Sequence, residues 1–212
     1  MISIERMNRE TIKYLIEEQN LVYNENLPKL ELIKDIRTKE EVVNRINVLH
    51  ILYTIGEDES EECFNFFRDK LIEKNWVTYL SEVEKETIFK TKLSEYDLLN
   101  FSWKKEAMLA LMWLINLPRI NLLEIKETQV SNYYDLLPPE MTMEQFYESA
   151  QIKDLHEVVG FLDYYYCIHS AIRNRDGKGK TSVEQSIIIE RRRALEWLTN
   201  LELDWDSISL DT

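Results

Sequence analysis

The most continuous apolar stretch of the chain runs from Trp103 to Leu117, WKKEAMLALMWLINL, where only Asn116 is polar after Ala107. A helix that is apolar almost all round is buried on nearly all sides, so the other helices are expected to pack around it. One charge, Glu106, stands at its leading edge. On a wheel of about 100° per residue it shares a sector with Trp103, Ala110, Trp113 and Leu117.

The rest of the chain also reads at helical spacing. Arg9 to Gln19 carries Ile12, Leu15 and Ile16, and the Asn-rich stretch that follows marks residues 1–26 as an N-terminal arm or helix, loosely attached. Thr38 to Glu41 is a capping box. It opens a helix with Val42, Ile46, Leu49 and Tyr53 on one stripe and Gly56 as its C-terminal stop. Asp58 to Glu61 starts a helix with Phe64, Phe67 and Leu71 inward, and Ser81 to Glu84 caps a short one through Phe89. After Ser94 the pattern runs into the central helix, which Pro118 ends or closely follows. Arg119 to Pro139 lacks periodicity and reads as an extended surface connection. Thr142 to Gln145 caps a short helix, and Asp154 to Asn174 forms a long one with Val158, Phe161, Leu162, Tyr165, Ile168 and Ile172 on its apolar face. Thr181 to Glu184 caps the last, to about Thr199. The predicted fold is mainly α, a single compact helical domain over residues 27–212 around the buried helix 103–117.

Composition supports that class. The 212 residues hold only four Gly and four Pro, too little punctuation for an all-β sandwich or barrel. The net charge of −13 repels phosphate backbones, which argues against nucleic acid and fits a basic protein partner, although acidity also simply keeps a surface solvated. Cys63 and Cys167 form no disulfide framework and read as reduced thiols. No apolar run reaches the ~18 residues of a membrane span, and the N-terminus lacks the apolar core of a leader. The expected setting is cytoplasmic, with no membrane association.

Candidate chemistry centres on the last helix. Val183, Ile187, Ile188, Ala194, Leu195 and Leu198 define its apolar face, with Arg191 in the middle and Arg192 and Arg193 rotated successively outward. A buried guanidinium requires a carboxylate, and Glu106 is in the mirror-image predicament, so the two are expected to meet. Such a pair is either a site, with Arg191 holding an anion, or a structural ion pair that docks two helices; the second is the commoner outcome. By the wheel, Arg191→Leu costs about 3 to 5 kcal/mol and Arg192→Leu stays within roughly 0.5.

His169 falls on the apolar face of its helix, while Asp163 lies on the other side with His156. A lone histidine there is usually a hydrogen-bonded core residue. No His-Glu-x-x-His, Glu-x-x-His or Cys-x-x-Cys pattern supports a metal, and no motif supports a cofactor. Gly177-Lys178-Gly179-Lys180-Thr181 lacks the first glycine and the preceding strand of a phosphate-binding loop. Ser102-x-x-Lys105 has the spacing of a Ser/Lys pair, with Lys105 directed away from the apolar sector.

Several of these stretches together resemble the bacterial "domain of unknown function 4272" family. They are Leu27-Pro28, Ile36 to Val42 with Arg45, Trp103-x-x-Glu106-Ala107 with Leu111-x-Trp113, Asp163 to Arg173, Glu190 to Leu198, Trp205-Asp206 and Asp211-Thr212. The likeness covers about Leu27 to Thr212; Lys104, Cys167 and Ser170 depart from the family pattern, which usually has Arg, Arg and Trp there. The resemblance implies one compact domain, supplies no substrate or catalytic residue, and makes Glu106, Asp163, His169, Glu190, Arg191, Trp205 and Asp206 a recurring polar and aromatic cluster.

Two function classes remain. One is a protein-interaction protein, for example an inhibitor of a basic protein, distinguished by capture of a partner. The other is an enzyme or small-ligand binder, with Arg191 orienting an anionic group and Glu106, Asp163 or His169 carrying protons. It requires those side chains to converge on a cavity.

Overall fold

The computed structural model describes residues 7–117, 119–138, 142–177 and 182–211. Among them the chain forms nine α-helices and no strand: α1 (Arg9–Glu17), α2 (Lys39–Asp58), α3 (Glu61–Glu73), α4 (Glu82–Ile88), α5 (Glu95–Ser102), α6 (Lys104–Leu114), α7 (Met143–Ser149), α8 (Leu155–Asp176) and α9 (Val183–Thr199). The expected mainly α fold around a buried central helix is what the chain adopts. The central helix is α6, shorter than the 103–117 reading, with Lys105 to Leu114 all buried.

Capping chemistry sets the helix starts. Thr38, Ser81, Ser94 and Thr142 each accept from the backbone N–H three residues on, and the residue there returns a bond to the cap. Ser182 caps α9, accepting from the Gln185 N–H; Thr181, read as that cap, lies outside the described residues, as does Pro118. The end of α6 is instead made by Asn116 at φ 59°. The Leu117 N–H then reaches back to the Met112 carbonyl at 3.2 Å, a left-handed cap of the Schellman type.

Two apolar clusters share α2. Val42, Val43, Ile46, Leu49 and Tyr53 join α1, α6, α8 and α9 in the main core. Val48, Ile51, Leu52 and Ile55 close a second one with Phe64, Leu71, Ile88 and Phe101. With a core on each side, α2 is buried from Val42 to Gly56 apart from Asn44, His50 and Thr54.

Four expectations are corrected. Residues 9–17 are no loose arm, because Ile12 and Ile16 are fully buried in the main cluster. The pattern after Ser94 is not continuous: α5 ends at Ser102 and Trp103 caps α6. The 119–138 segment is not merely a surface connection, since Leu122, Thr128, Val130 and Leu137 are buried. Finally, Gly56 lies inside α2, which runs to Asp58 and is capped by Glu59 at φ 57°. Gly56 is there for close approach. A Cβ on it would stand 2.4 Å from the Ser102 nitrogen and 2.8 Å from the Leu98 oxygen, both backbone atoms of α5.

Gly56→Ala is therefore expected to destabilise the fold by about 1 to 3 kcal/mol in urea unfolding, although alanine is the better helix former by ~1 kcal/mol. An unchanged or raised midpoint would show that α2 and α5 do not approach this closely.

Candidate functional site

Arg191 and Glu106 meet in the core. Arg191 is 1% exposed and Glu106 fully buried. Arg191 Nε donates to Glu106 Oε2 at 2.9 Å, with Nη2 2.8 Å from the same oxygen. Nη1 donates to the Glu124 carbonyl (2.8 Å) and the Tyr165 hydroxyl (3.2 Å), and Nη2 to the Lys126 carbonyl (2.9 Å) and Thr128 Oγ1 (3.5 Å). Glu106 accepts in addition from the Thr128 N–H at 2.6 Å and its hydroxyl at 2.9 Å, while the Tyr165 hydroxyl donates to the Leu122 carbonyl at 2.7 Å. All five N–H groups of the guanidinium are engaged within the fold. Burial alone would lower the Arg191 pKa, but the Tyr165 oxygen and the Glu106 carboxylate reverse the sign and hold it above its ordinary value. The arrangement fixes a charge; it leaves no donor to offer an anion.

Arg192 is not rotated into solvent. It is 3% exposed because α8 and the C-terminal segment close over it. Its Nη1 lies 2.9 Å from His169 Nδ1 and 3.2 Å from the Leu210 carbonyl, and Nε and Nη2 each reach Glu196 Oε1 at 3.1 Å. A guanidinium cannot accept a hydrogen bond, so Nδ1 accepts and the imidazole proton sits on Nε2. Burial, with Arg192 and Arg173 adding to it, lowers the His169 pKa to about 4 and keeps the ring neutral. The expectation that Arg192→Leu is harmless is therefore corrected: a wheel shows the face of one helix and not what a distant segment lays across it.

Asp163 serves a third place. Arg9 grips it bidentately, Nε to Oδ2 and Nη2 to Oδ1, both 2.6 Å, and also donates to the Pro28 carbonyl at 2.7 Å. The carboxylate thus staples α1 to α8.

Glu190, Trp205 and Asp206 line one cleft of about 680 Å³ between α4, α5 and α9. Glu190 Oε2 is 3.5 Å from Lys104 Nζ, and Oε1 is 3.9 Å from Arg193 Nε. Asp206 accepts from the Val83 N–H at 3.0 Å. Trp205 packs edge-on to Trp197 and covers the Arg45 guanidinium, 3.9 Å from its centroid. The seven-residue cluster thus separates into a core node (Glu106, Arg191), two clasps (His169, Asp163) and a cleft wall.

The sequence reading missed Arg45 and Glu84. Arg45 donates to both Glu84 oxygens at 2.7 Å in a nearly fully buried pair. Burial pushes the Glu84 carboxyl up, but Arg45 outweighs it and holds the group below its ordinary pKa. The signal was present: Arg45 stands three residues after Val42 and four before Leu49, inside the apolar stripe, as Arg191 does in its own. Ser102 and Lys105 do not pair with each other. Ser102 donates to the Leu99 carbonyl and Lys105, itself buried, reaches Glu127 at 2.7 Å. Residues 178–181 of the Gly-Lys run lie outside the described residues. Among the described residues no group of three or more His, Cys, Asp or Glu could hold a metal, and no helix is long and apolar enough to cross a membrane.

A second, smaller groove of about 220 Å³ is lined by Glu57, Glu59 and Glu95 with Leu98 and Leu99. Glu57 is 3.8 Å from Lys105 Nζ, whereas Glu59, Glu95 and the neighbouring exposed Glu61 and Glu62 have no cation within ion-pair distance among the described residues. Leu99 is 57% exposed.

Two outcomes follow from this geometry. Arg191→Leu is expected to cost about 3 to 5 kcal/mol by stranding Glu106, and Arg192→Leu more than ~1.5 kcal/mol, read from urea midpoints; a neutral Arg192→Leu would mean the C-terminal segment does not close. For His169, the unfolded ring titrates near ~6.5 and the folded one at about 4. Between those values the unfolded chain binds the extra proton, so stability falls as pH drops through the window. The loss of stability from about pH 7 to about pH 5 is expected to be smaller in His169→Gln than in the wild type, and equal losses would contradict the buried neutral ring.

No curated protein and no solved structure matches the chain. The family model described as Domain of unknown function (DUF4272) matches residues 8–208, a span that takes in α1, which the sequence motifs did not reach. With nearly its whole length inside that match, the chain belongs to the DUF4272 family.

Proposed function

We propose that this chain is a protein-interaction module whose partner is a basic protein segment, docking at the groove between the end of α2 and α5. The observation that carries the reading is the pairing of unneutralised carboxylates, Glu59 and Glu95, with the exposed Leu99 and the half-buried Leu98 beside it in one groove. An apolar anchor flanked by Lys or Arg matches both features, and the net charge of −13 steers such a segment toward the surface while repelling nucleic acid. If the captured segment belongs to the working surface of a basic enzyme, the module acts as its inhibitor. The setting we assign is the cytoplasm, where the free thiols Cys63 and Cys167 stay reduced; burial raises the Cys167 thiol to about 12, which also makes it unreactive.

The other class, an enzyme or small-ligand binder acting through Arg191 and Glu106, finds no support in their geometry. Every donor of Arg191 is engaged within the protein.

Titration with a synthetic amphipathic Lys/Leu peptide, followed by calorimetry, tests the reading. Glu59→Gln with Glu95→Gln is expected to weaken binding by at least about fivefold, with the wild-type affinity falling as salt rises. A control, Glu17→Gln with Glu18→Gln on α1, is expected to bind as the wild type does. Equal losses in both variants would reduce the effect to overall charge and overturn the groove.

A further inference from the structure

On the opposite flank of α2 lies a different kind of depression, about 520 Å³, between α2, α3 and the segment ending at Pro138. Its walls are aromatic: Phe66, Phe67, Trp76 and Tyr134, with Ile51 beside them. Phe66 is 55% exposed and packs edge-on to Phe67 at 5.1 Å, so a large apolar ring faces solvent. The volume and lining are those of a small-molecule site rather than a flat contact surface.

Three polar features give it direction. Asn47 lines the depression, is only 3% exposed, and its Nδ2 has no hydrogen-bond partner among the described residues. A buried donor left unpaired costs about 1 to 3 kcal/mol, and a small acceptor reaching it through the groove, a water or a ligand oxygen, satisfies it. His50, half-buried on the same wall, is lowered to about 4 by desolvation, so its imidazole brings no charge to the depression near neutral pH. At the rim, Lys70 and Lys74 share one carboxylate, Glu73, at 3.3 and 3.4 Å. Lys70 Nζ also stands 5.7 Å from the Phe66 centroid. Two cations against one anion leave a local excess of positive charge on a chain whose net charge is −13. The acidic groove proposed above has the opposite sign, so the two surfaces select different ligands.

We infer that this depression binds a small aromatic carboxylic acid: its ring system stacks among Phe66, Phe67 and Trp76, its carboxylate meets Lys70 and Lys74, and an acceptor oxygen on its body takes the Asn47 Nδ2 hydrogen. The inference stands apart from the interaction reading and survives its failure.

The probe is 4-benzoylbenzoate, which carries the ring system, the carboxylate and a ketone oxygen, and which crosslinks on irradiation. Saturable binding is expected, with crosslinks confined to peptides from α2, α3, Trp76 and residues 134–138. Lys70→Gln with Lys74→Gln, and separately Phe66→Ser, alter exposed or half-buried side chains and leave the cores intact; each is expected to weaken binding about tenfold, a change of ~1.4 kcal/mol. Because Asn47 is buried and its replacement risks the fold, its role is read on the unaltered protein with 4-benzylbenzoate, which lacks the ketone and is expected to bind at least about fivefold more weakly. Crosslinks scattered over the surface, or affinity unmoved in both variants, would overturn the site. Equal affinity for the two ligands would overturn the assignment of Asn47.

Discussion

Burying an ion pair is expensive, and this fold is arranged around meeting that expense. Removing a guanidinium and a carboxylate from water costs several kcal/mol per ion unless each remaining proton and lone pair is satisfied. Arg191 and Glu106 satisfy theirs by recruiting a stretch with no secondary structure of its own. The Glu124 and Lys126 carbonyls and the Thr128 amide and hydroxyl complete the pair. The segment's path from α6 to the turn at Val130–Leu136 is therefore dictated by one arginine on α9, and the buried Leu122 and Val130 follow from that path. Tyr165, bridging Arg191 and the Leu122 carbonyl, adds α8 to the same node.

The same device recurs at lower burial. Arg9 ties α1 to Asp163 and to the chain at Pro28. Arg37 donates to the carbonyls of Trp197 in the last turn of α9 and of Asn200 and Leu203 beyond it, and lies 4.5 Å from the Trp197 ring centroid. Arg192 holds Leu210. A planar fork of five donors suits this work, since one side chain can gather several carbonyls from irregular backbone. In a chain with so few glycines and prolines to set turns, arginines take over part of the task of placing loops and termini.

Much of this was legible in the residues. Capping boxes are local, so Thr38, Ser81 and Thr142 announced their helices. Arg191 and Glu106 were visible because a charge inside an apolar stripe has only one affordable explanation. The same logic, applied to Arg45, would have found Glu84. What stayed hidden depends on contacts between distant parts. Gly56 resembles a helix stop until α5 is seen pressed against it, and Arg192 looks solvated until the C-terminal segment crosses it. The 119–138 segment carries no period because its partners, Arg191 and Glu106, lie on other helices. The candidate cluster likewise read as one group, since sequence order does not reveal that Asp163 faces α1 while Glu190 faces the cleft.

These assignments separate what the polar residues do for the fold from what the surface is free to do for function. The charged residues with the strongest sequence signals are committed to architecture, and the two depressions proposed for binding are built from exposed rings and carboxylates with unremarkable patterns. The claim beneath this division is that the Arg191 and Glu106 node rigidly fixes an irregular segment. Amide hydrogen exchange at Thr128 measures it most directly. If the node is structural, this loop amide, bonded to Glu106 at 2.6 Å, exchanges as slowly as the amides of Met108 to Leu114 in α6, by global unfolding. Exchange at the rate of an exposed loop would contradict the account, because the segment would then move independently of the pair said to hold it.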